Sequence, residues 1–229
     1  MRHRAVIFDL WGTLIDAIPP DKWVRIRDRM AAIVGVPCAE FSAQWDTTYL
    51  ARNTGGFPSM EANIAHVCGL CGYVPTDEQL SQAAALRWEM TRAALVPRTE
   101  APAVVRALRE SGRRVGLISD CTLEVPGLWA QTPLAALIDV PVFSCSEGVK
   151  KPDPRIYLRA CQRLEVRPGE CLYVGDGGGR ELTGAAAAGM DAVLIRMPHE
   201  EPPEPAREDA RVWTGPVVRS LAEVLDHVR

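Results

Sequence analysis

Long hydrophobic runs are missing from this sequence. No apolar stretch approaches the ~18 residues that span a bilayer, which excludes a helical membrane protein. Charge of one sign is missing too: 26 Lys+Arg stand against 29 Asp+Glu, a net charge of −3. No global field therefore draws nucleic acid or an anionic membrane. The opening MRHRAVIFDL is briefly basic and then apolar, but Asp9 interrupts it too early for a signal-peptide core. Paired cysteines are absent as a pattern: the seven are odd in number, scattered and mostly inside apolar runs. That suits reduced thiols and a cytoplasmic setting. Cys68-Gly-Leu-Cys71 has zinc-ligand spacing, yet no second pair completes four ligands. Lysine is scarce as well, with only Lys22, Lys150 and Lys151, so any role requiring a lysine is easy to locate.

What is present is ordinary for a globular chain, with 47% apolar and 24% charged residues. The 229 residues allow one large domain with a sizeable insertion. Short β-branched runs recur at Ala5–Phe8, Val115–Ile118, Val140–Phe143, Cys171–Val174 and Ala192–Ile195, and read as strands buried on both faces. Helical patterns lie between them. Thr99 is placed as an N-cap, followed by a stripe of Val104, Val105 and Leu108 and a stop at Gly112. Ile156, Ala160, Cys161 and Leu164 share one face of a helix from Pro154, and another helix begins near Arg180 and stops at Gly189. Alternation of this kind predicts a mainly parallel sheet. Residues 20–97 break it: the pattern there is helical throughout, between Pro19-Pro20 and Pro97. The expected architecture is α/β, a three-layer Rossmann-like core of 1–17 and 98–229 with an all-helical cap of 18–97. The acidic, proline-rich Pro198–Asp209 reads as a solvated loop before a last strand and helix, Val212 to Val228.

In such a sheet ligands gather beyond the carboxyl ends of the strands. Two strands end there in a carboxylate followed by a glycine-containing turn: Phe8-Asp9-Leu10-Trp11-Gly12-Thr13 and Val174-Gly175-Asp176-Gly177-Gly178-Gly179. An ionised Asp beside apolar strand residues is costly without a partner, and two converging carboxylates suit a hard cation with oxygen ligands. A dinucleotide fingerprint is rejected, because Arg180 fills the last glycine position.

With these residues the chain resembles the haloacid dehalogenase superfamily of hydrolases over essentially its whole length. The family's DxDGTL appears as Asp9-Leu10-Trp11-Gly12-Thr13-Leu14, and its strand-ending hydroxyl as Ser119 after Gly116-Leu117-Ile118. Its lysine appears as Lys151 before Pro152-Asp153-Pro154, and its GD motif as Gly175-Asp176 with Glu181, Gly184-Ala185 and Ala188-Gly189. The resemblance implies Asp9 as the nucleophile that forms an aspartyl intermediate. It implies Mg²⁺ held by Asp9, the backbone carbonyl of Trp11, Asp176 and, directly or through water, Glu181. Ser119 and Lys151 would stabilise the transferring group. Lys151 fits better than Lys150 because it immediately precedes the Pro-Asp-Pro turn.

One departure stands out. Phosphatases of the family carry a second Asp two residues after the nucleophile, as general acid and base; here that residue is Trp11. Indole only donates a hydrogen bond, and general acid–base catalysis contributes roughly 10²–10⁴-fold. The leading reading is an Mg²⁺-dependent phosphohydrolase of a small phosphorylated metabolite, weak or restricted to good leaving groups. A metal-independent dehalogenase of a small haloacid would need no proton donor, though it would leave Asp176 unexplained; a degenerate, ligand-binding member is the non-enzymatic alternative. The phosphonate-cleaving branch needs a cap lysine, for which only Lys22 stands available. Asp16, Asp120 and Glu124 are candidate replacement acids.

Substrate contacts are expected from Trp11, Thr13, Asp120 and the cap loop Arg52-Asn53-Thr54-Gly55-Gly56-Phe57, where Arg52 would hold an anion. Trp23, Trp45 and Trp88 are placed in the cap core, and His66 is placed as packing. Hinges are expected at Asp16–Pro20 and near Pro97. The sequence carries no signature of an oligomeric state.

Overall fold

A computed structural model describes residues 2–198 and 207–228. Six strands, β1 (Ala5–Phe8), β2 (Arg114–Ser119), β3 (Val140–Phe143), β4 (Cys171–Gly175), β5 (Asp191–Ile195) and β6 (Val217–Val218), form one sheet in the order β3-β2-β1-β4-β5-β6. Every pairing is parallel. The chain builds outward from β1 to β2 and β3, then returns to its other side for β4, β5 and β6. The switch point lies between β1 and β4, where ligand crevices open in sheets of this kind.

β1 is buried along its whole length, and its side chains divide by the period of two. Val6 and Phe8 join the apolar layer built with α6 (Ala101–Glu110), α7 (Glu124–Trp129) and α12 (Val224–His227). Ala5 and Ile7 join the opposite layer, built with α9 (Pro154–Leu164) and α10 (Glu181–Ala187). The expected stripes of α6 and α9 are the buried ones: Val104, Val105 and Leu108 on the first, Ile156, Ala160, Cys161 and Leu164 on the second.

Between β1 and α6 stand five helices, α1 (Pro20–Val34), α2 (Cys38–Thr47), α3 (Tyr49–Asn53), α4 (Met60–Leu70) and α5 (Asp77–Ala94). They enclose a separate apolar core that includes Met30, Phe41, Trp45, Met60, Ile64 and Met90. A capping box of Thr76 and Gln79 starts α5. The two connections to the sheet layer run side by side. Ile15 bridges Pro97, the Arg98 amide donates to Leu14 O at 2.9 Å, and the Arg98 guanidinium meets Asp16 at 2.9 Å. The two chain segments singled out as hinges thus touch each other.

Three local expectations differ from the structure. The N-cap of α6 is Glu100 rather than Thr99, and no side chain caps it. Arg52 and Asn53 are not in a loop but close α3. Most of the acidic segment, 199–206, lies outside the described residues, and its far end is not solvated: Arg207 and Asp209 are buried, and a helix, α11 (Glu208–Val212), starts before the expected strand. Polar composition misled there because each buried charge has an oppositely charged or hydrogen-bonding partner.

Candidate active site

Asp9 follows the last residue of β1, and its amide donates to Val174 O of β4 at 2.9 Å, which ties the two strand ends together. Asp176 follows β4, and Glu181 opens α10 after the glycine turn. Carboxylate oxygens of Asp9, Asp176 and Glu181 lie within 4.8 Å of one another, and all three residues are buried. Lys151 enters from the turn before α9. Its Nζ donates to Asp9 Oδ1 at 2.5 Å and to Glu181 Oε2 at 2.6 Å, with Tyr173 Oη at 3.4 Å. The Tyr173 hydroxyl also donates to Glu181 Oε2 at 2.8 Å, and the Gly177 amide to Glu181 Oε1 at 2.9 Å. Glu181 is therefore more than a charge at a helix start.

Two glycines permit this packing. A Cβ on Gly12, whose φ is +78°, would collide with Asp176 Oδ2, and one on Gly175 would collide with the Glu181 carboxylate. Crowding three buried carboxylates has an electrostatic cost. Burial first, and Glu181 second, push the Asp9 carboxyl up to about 7 against the pull of Lys151. Burial, then Glu181 and Asp9, push Asp176 well above the carboxylate range against the pull of Arg207. The Lys151 ammonium, opposed by burial, is held well above its ordinary value by Asp9 and Glu181.

The chemistry of this donor set fits a hard divalent cation. It offers hard oxygens only, with more buried negative charge than one ammonium neutralises. Lys151 nevertheless engages both Asp9 and Glu181, and Arg207 Nε lies 2.9 Å from Asp176 Oδ2. Arg207 and Tyr173 are the site residues that the motifs did not reveal. Tyr173 was visible only as a hydroxyl in a strand, and Arg207 was hidden in a segment whose composition signals exposure.

Ser119 ends β2 and is fully buried, as is Thr13; among the described residues neither Oγ has a hydrogen-bond partner. Asp120 accepts the Lys151 amide at 2.9 Å and pairs with Lys150 at 3.2 Å. Of the candidate replacement acids, Asp16 is bound to Arg98 beside a different cleft, and Glu124 is bound to Arg87 in the interior. Asp120 alone of the three borders the cavity beneath the helical block.

That cavity, about 570 Å³, lies between the helical block and the sheet ends and is bordered by Trp11, Trp23, Trp45, Arg52, Asn53 and Asp120 among others. Thr13 does not line it. The Arg52 guanidinium stacks 4.5 Å from the Trp45 ring and donates to Trp45 O at 2.5 Å and Thr48 Oγ1 at 2.6 Å. Burial, followed by the nearby Arg87, lowers Arg52 to about 10. Trp45 serves both the cap core and the cavity wall, and so does Trp23, half-buried against that core and on the wall under the Arg87 guanidinium at 4.5 Å. Gly55 closely approaches Cys145 O in α8 (Ser144–Glu147), the short helix after β3, so this part of the expected loop does face the sheet layer. The His66 ring packs tilted against Phe57, with the ring centroids 5.4 Å apart.

Comparison with known proteins accords with this architecture. The family model of haloacid dehalogenase-like hydrolases matches residues 3–189. The chain is 28% identical to N-acetylmuramic acid 6-phosphate phosphatase of Pseudomonas aeruginosa, over 99% of this chain and 96% of that protein. A shorter stretch of 68 residues is 43% identical to glyceraldehyde 3-phosphate phosphatase of Methanopyrus kandleri, 30% of this chain and 29% of that protein. A crystal structure of a dehalogenase superposes with a TM-score of 0.60 and 23% identity, covering 98% of this chain and 96% of that one; at that identity the fold alone is shared. The protein belongs to the haloacid dehalogenase-like hydrolases, and these relatives by sequence are phosphatases.

Proposed function

We propose that this chain is an Mg²⁺-dependent phosphohydrolase that acts on a small phosphorylated metabolite through an aspartyl-phosphate intermediate. The observation that supports it best is the buried Asp9, Asp176 and Glu181 cluster, bound by Lys151 at the β1/β4 switch point. A bound Mg²⁺, held by Asp9, Asp176, the Trp11 carbonyl and Glu181, would supply positive charge to the phosphoryl oxygens.

The chain's own residues do the rest. Asp9 Oδ attacks phosphorus, the ester P–O bond breaks, and the leaving oxygen departs with the bonding pair. Lys151 and the buried Ser119 hydroxyl then donate to phosphoryl oxygens. Water attacks the aspartyl-phosphate, releasing phosphate and restoring the Asp9 carboxylate. With Trp11 where an acid would stand, no side chain at that position protonates the leaving oxygen or accepts the water's proton. Good leaving groups are therefore preferred. Residues 18–97 act as the cap, with Arg52 offering its charge to a second anionic group of the substrate; among the described residues it has no ion pair with a carboxylate.

Phosphate release measured with Mg²⁺ and with EDTA tests the reading. Activity on aryl and acyl phosphates should require Mg²⁺ and vanish in Asp9→Asn, and Trp11→Asp should raise turnover of alkyl phosphates by about tenfold or more. Undiminished phosphate release by Asp9→Asn would overturn the nucleophile assignment. Metal-independent halide release from small haloacids would favour dehalogenation instead.

A further inference from the structure

The segment after β5 delivers a cation into the acidic cluster that no sequence motif foreshadows. Arg207 is buried and reaches Asp176 Oδ2 through Nε at 2.9 Å. Its Nη2 lies beside the turn that follows Asp9, since a Cβ placed on Gly12 would sit 3.1 Å from it. The guanidinium is thus wedged between the ends of β1 and β4. Its backbone is anchored from the far side. Asp209 accepts from Thr183 N at 2.9 Å and from Thr183 Oγ1 at 2.5 Å, and the Asp209 amide donates to Gly177 O at 3.0 Å.

Charge makes this placement consequential. Lys151 and a divalent ion together neutralise the three carboxylates of Asp9, Asp176 and Glu181. A guanidinium cannot shed its proton to make room, so Arg207 and a divalent ion on the same Asp176 carboxylate repel each other across a few ångströms of buried space. Without the ion, removing the guanidinium would leave the buried Asp176, among the described residues, with no cation beside it and only the Gly178 amide, 2.9 Å from Oδ1, to hold it.

We propose that Arg207 is a positioning residue that competes with the divalent cation for Asp176. It occupies the carboxylate in the cation-free protein and withdraws when the cation binds. Cation affinity is then set by an intramolecular rival as well as by the ligands, and in the cation-free fold Asp176, with which Lys151 makes no bond, keeps a cationic partner. This inference rests on the cluster being the cation site.

The test uses the full chain as wild type, Arg207→Gln and Arg207→Lys. Calorimetric titration with MgCl₂ measures affinity, and thermal unfolding is followed in EDTA and in saturating Mg²⁺. Arg207→Gln should bind Mg²⁺ about tenfold more tightly or better. It should melt below wild type in EDTA, and the gap should close as Mg²⁺ saturates, because a ligand of the native state stabilises by mass action. Arg207→Lys, which keeps the charge but loses the planar fork, should fall between them. Equal or weaker Mg²⁺ affinity in Arg207→Gln, or a deficit in melting that Mg²⁺ does not close, overturns the competition while leaving the cation site intact. Absence of Mg²⁺ binding to every variant overturns both the competition and the site. Should Arg207→Gln not fold, Arg207→Lys against wild type decides alone: tighter binding supports the proposal and equal or weaker binding overturns it.

Discussion

At the scale of single residues, the site depends on atoms that are missing as much as on those present. Gly12 has no Cβ, and that absence lets the turn after Asp9 approach the Asp176 carboxylate. Its φ of +78° is a second reason, because the left-handed region is strained for any side chain. Gly12→Ala should therefore push Asp176 away from Asp9 and lower cation affinity by at least about tenfold, while costing of the order of 1–3 kcal/mol in stability. Calorimetry and urea unfolding on the same preparation check both numbers; an unchanged affinity would mean that the two strand ends need not touch.

The motif residues were legible in the sequence because each sits beside something unusual: a carboxylate at the end of an apolar strand, or one of only three lysines before Pro-Asp-Pro. Tyr173 and Arg207 gave no such sign. A tyrosine in a buried strand reads as packing until a partner for its hydroxyl is seen, and here the partners are Glu181 and Lys151. Arg207 sits in a stretch rich in acid and proline, and only the packing of Asp209 and Ala210 onto the Gly177 turn brings it inside.

At the scale of elements, α9 connects the lysine to the fold. Asp153 caps its first turn by accepting the Arg155 amide at 2.9 Å, and the Arg155 guanidinium clasps the same carboxylate. Those bonds hold Asp153 down at about 2, below its ordinary 3.8. A carboxyl depressed in the native state stabilises above its unfolded value and loses that contribution as the pH falls through the native one. Asp153→Ala should cost about 1 kcal/mol at pH 7, the usual worth of a cap. Its deficit against wild type should shrink as the pH falls from about 4 toward 2, read by chemical denaturation at each pH. A deficit independent of pH would assign the loss to packing.

The helices of the cap were readable as a block from the lack of any strand-like run between the prolines. Their division was not. Nothing local distinguishes the last turn of α3, with Arg52 and Asn53, from a polar loop, because the pull that orders it is the Trp45 ring beneath the guanidinium.

At the scale of the whole molecule, a buried ion pair joins the helical block to the layer of α7. The Arg87 guanidinium of α5 reaches Glu124 of α7 at 2.9 Å, with both side chains buried, and donates to Thr122 Oγ1 at 3.3 Å. Beside it the Trp88 ring lies against Gly127, where a Cβ would sit 2.6 Å away. Arg87→Met should destabilise by about 3–5 kcal/mol, since it strands a carboxylate in the interior. Arg87→Met with Glu124→Leu should recover much of that loss, a double-mutant cycle in thermal or urea unfolding being the measure. No recovery would mean that the pair orients the cap rather than neutralising a charge.

The position of β1 in the middle of the sheet has a consequence for biosynthesis. It is translated before the other strands, yet both of its edges stay unpaired until β2 and β4 have been made. A strand of four apolar residues must wait, shielded only by whatever has emerged behind it. The helical block is the next segment translated, and it carries its own core. It can therefore condense early and shelter the nascent strand. The same order means that the carboxylate trio cannot assemble until Asp176 and Glu181, far along the chain from Asp9, have both been translated.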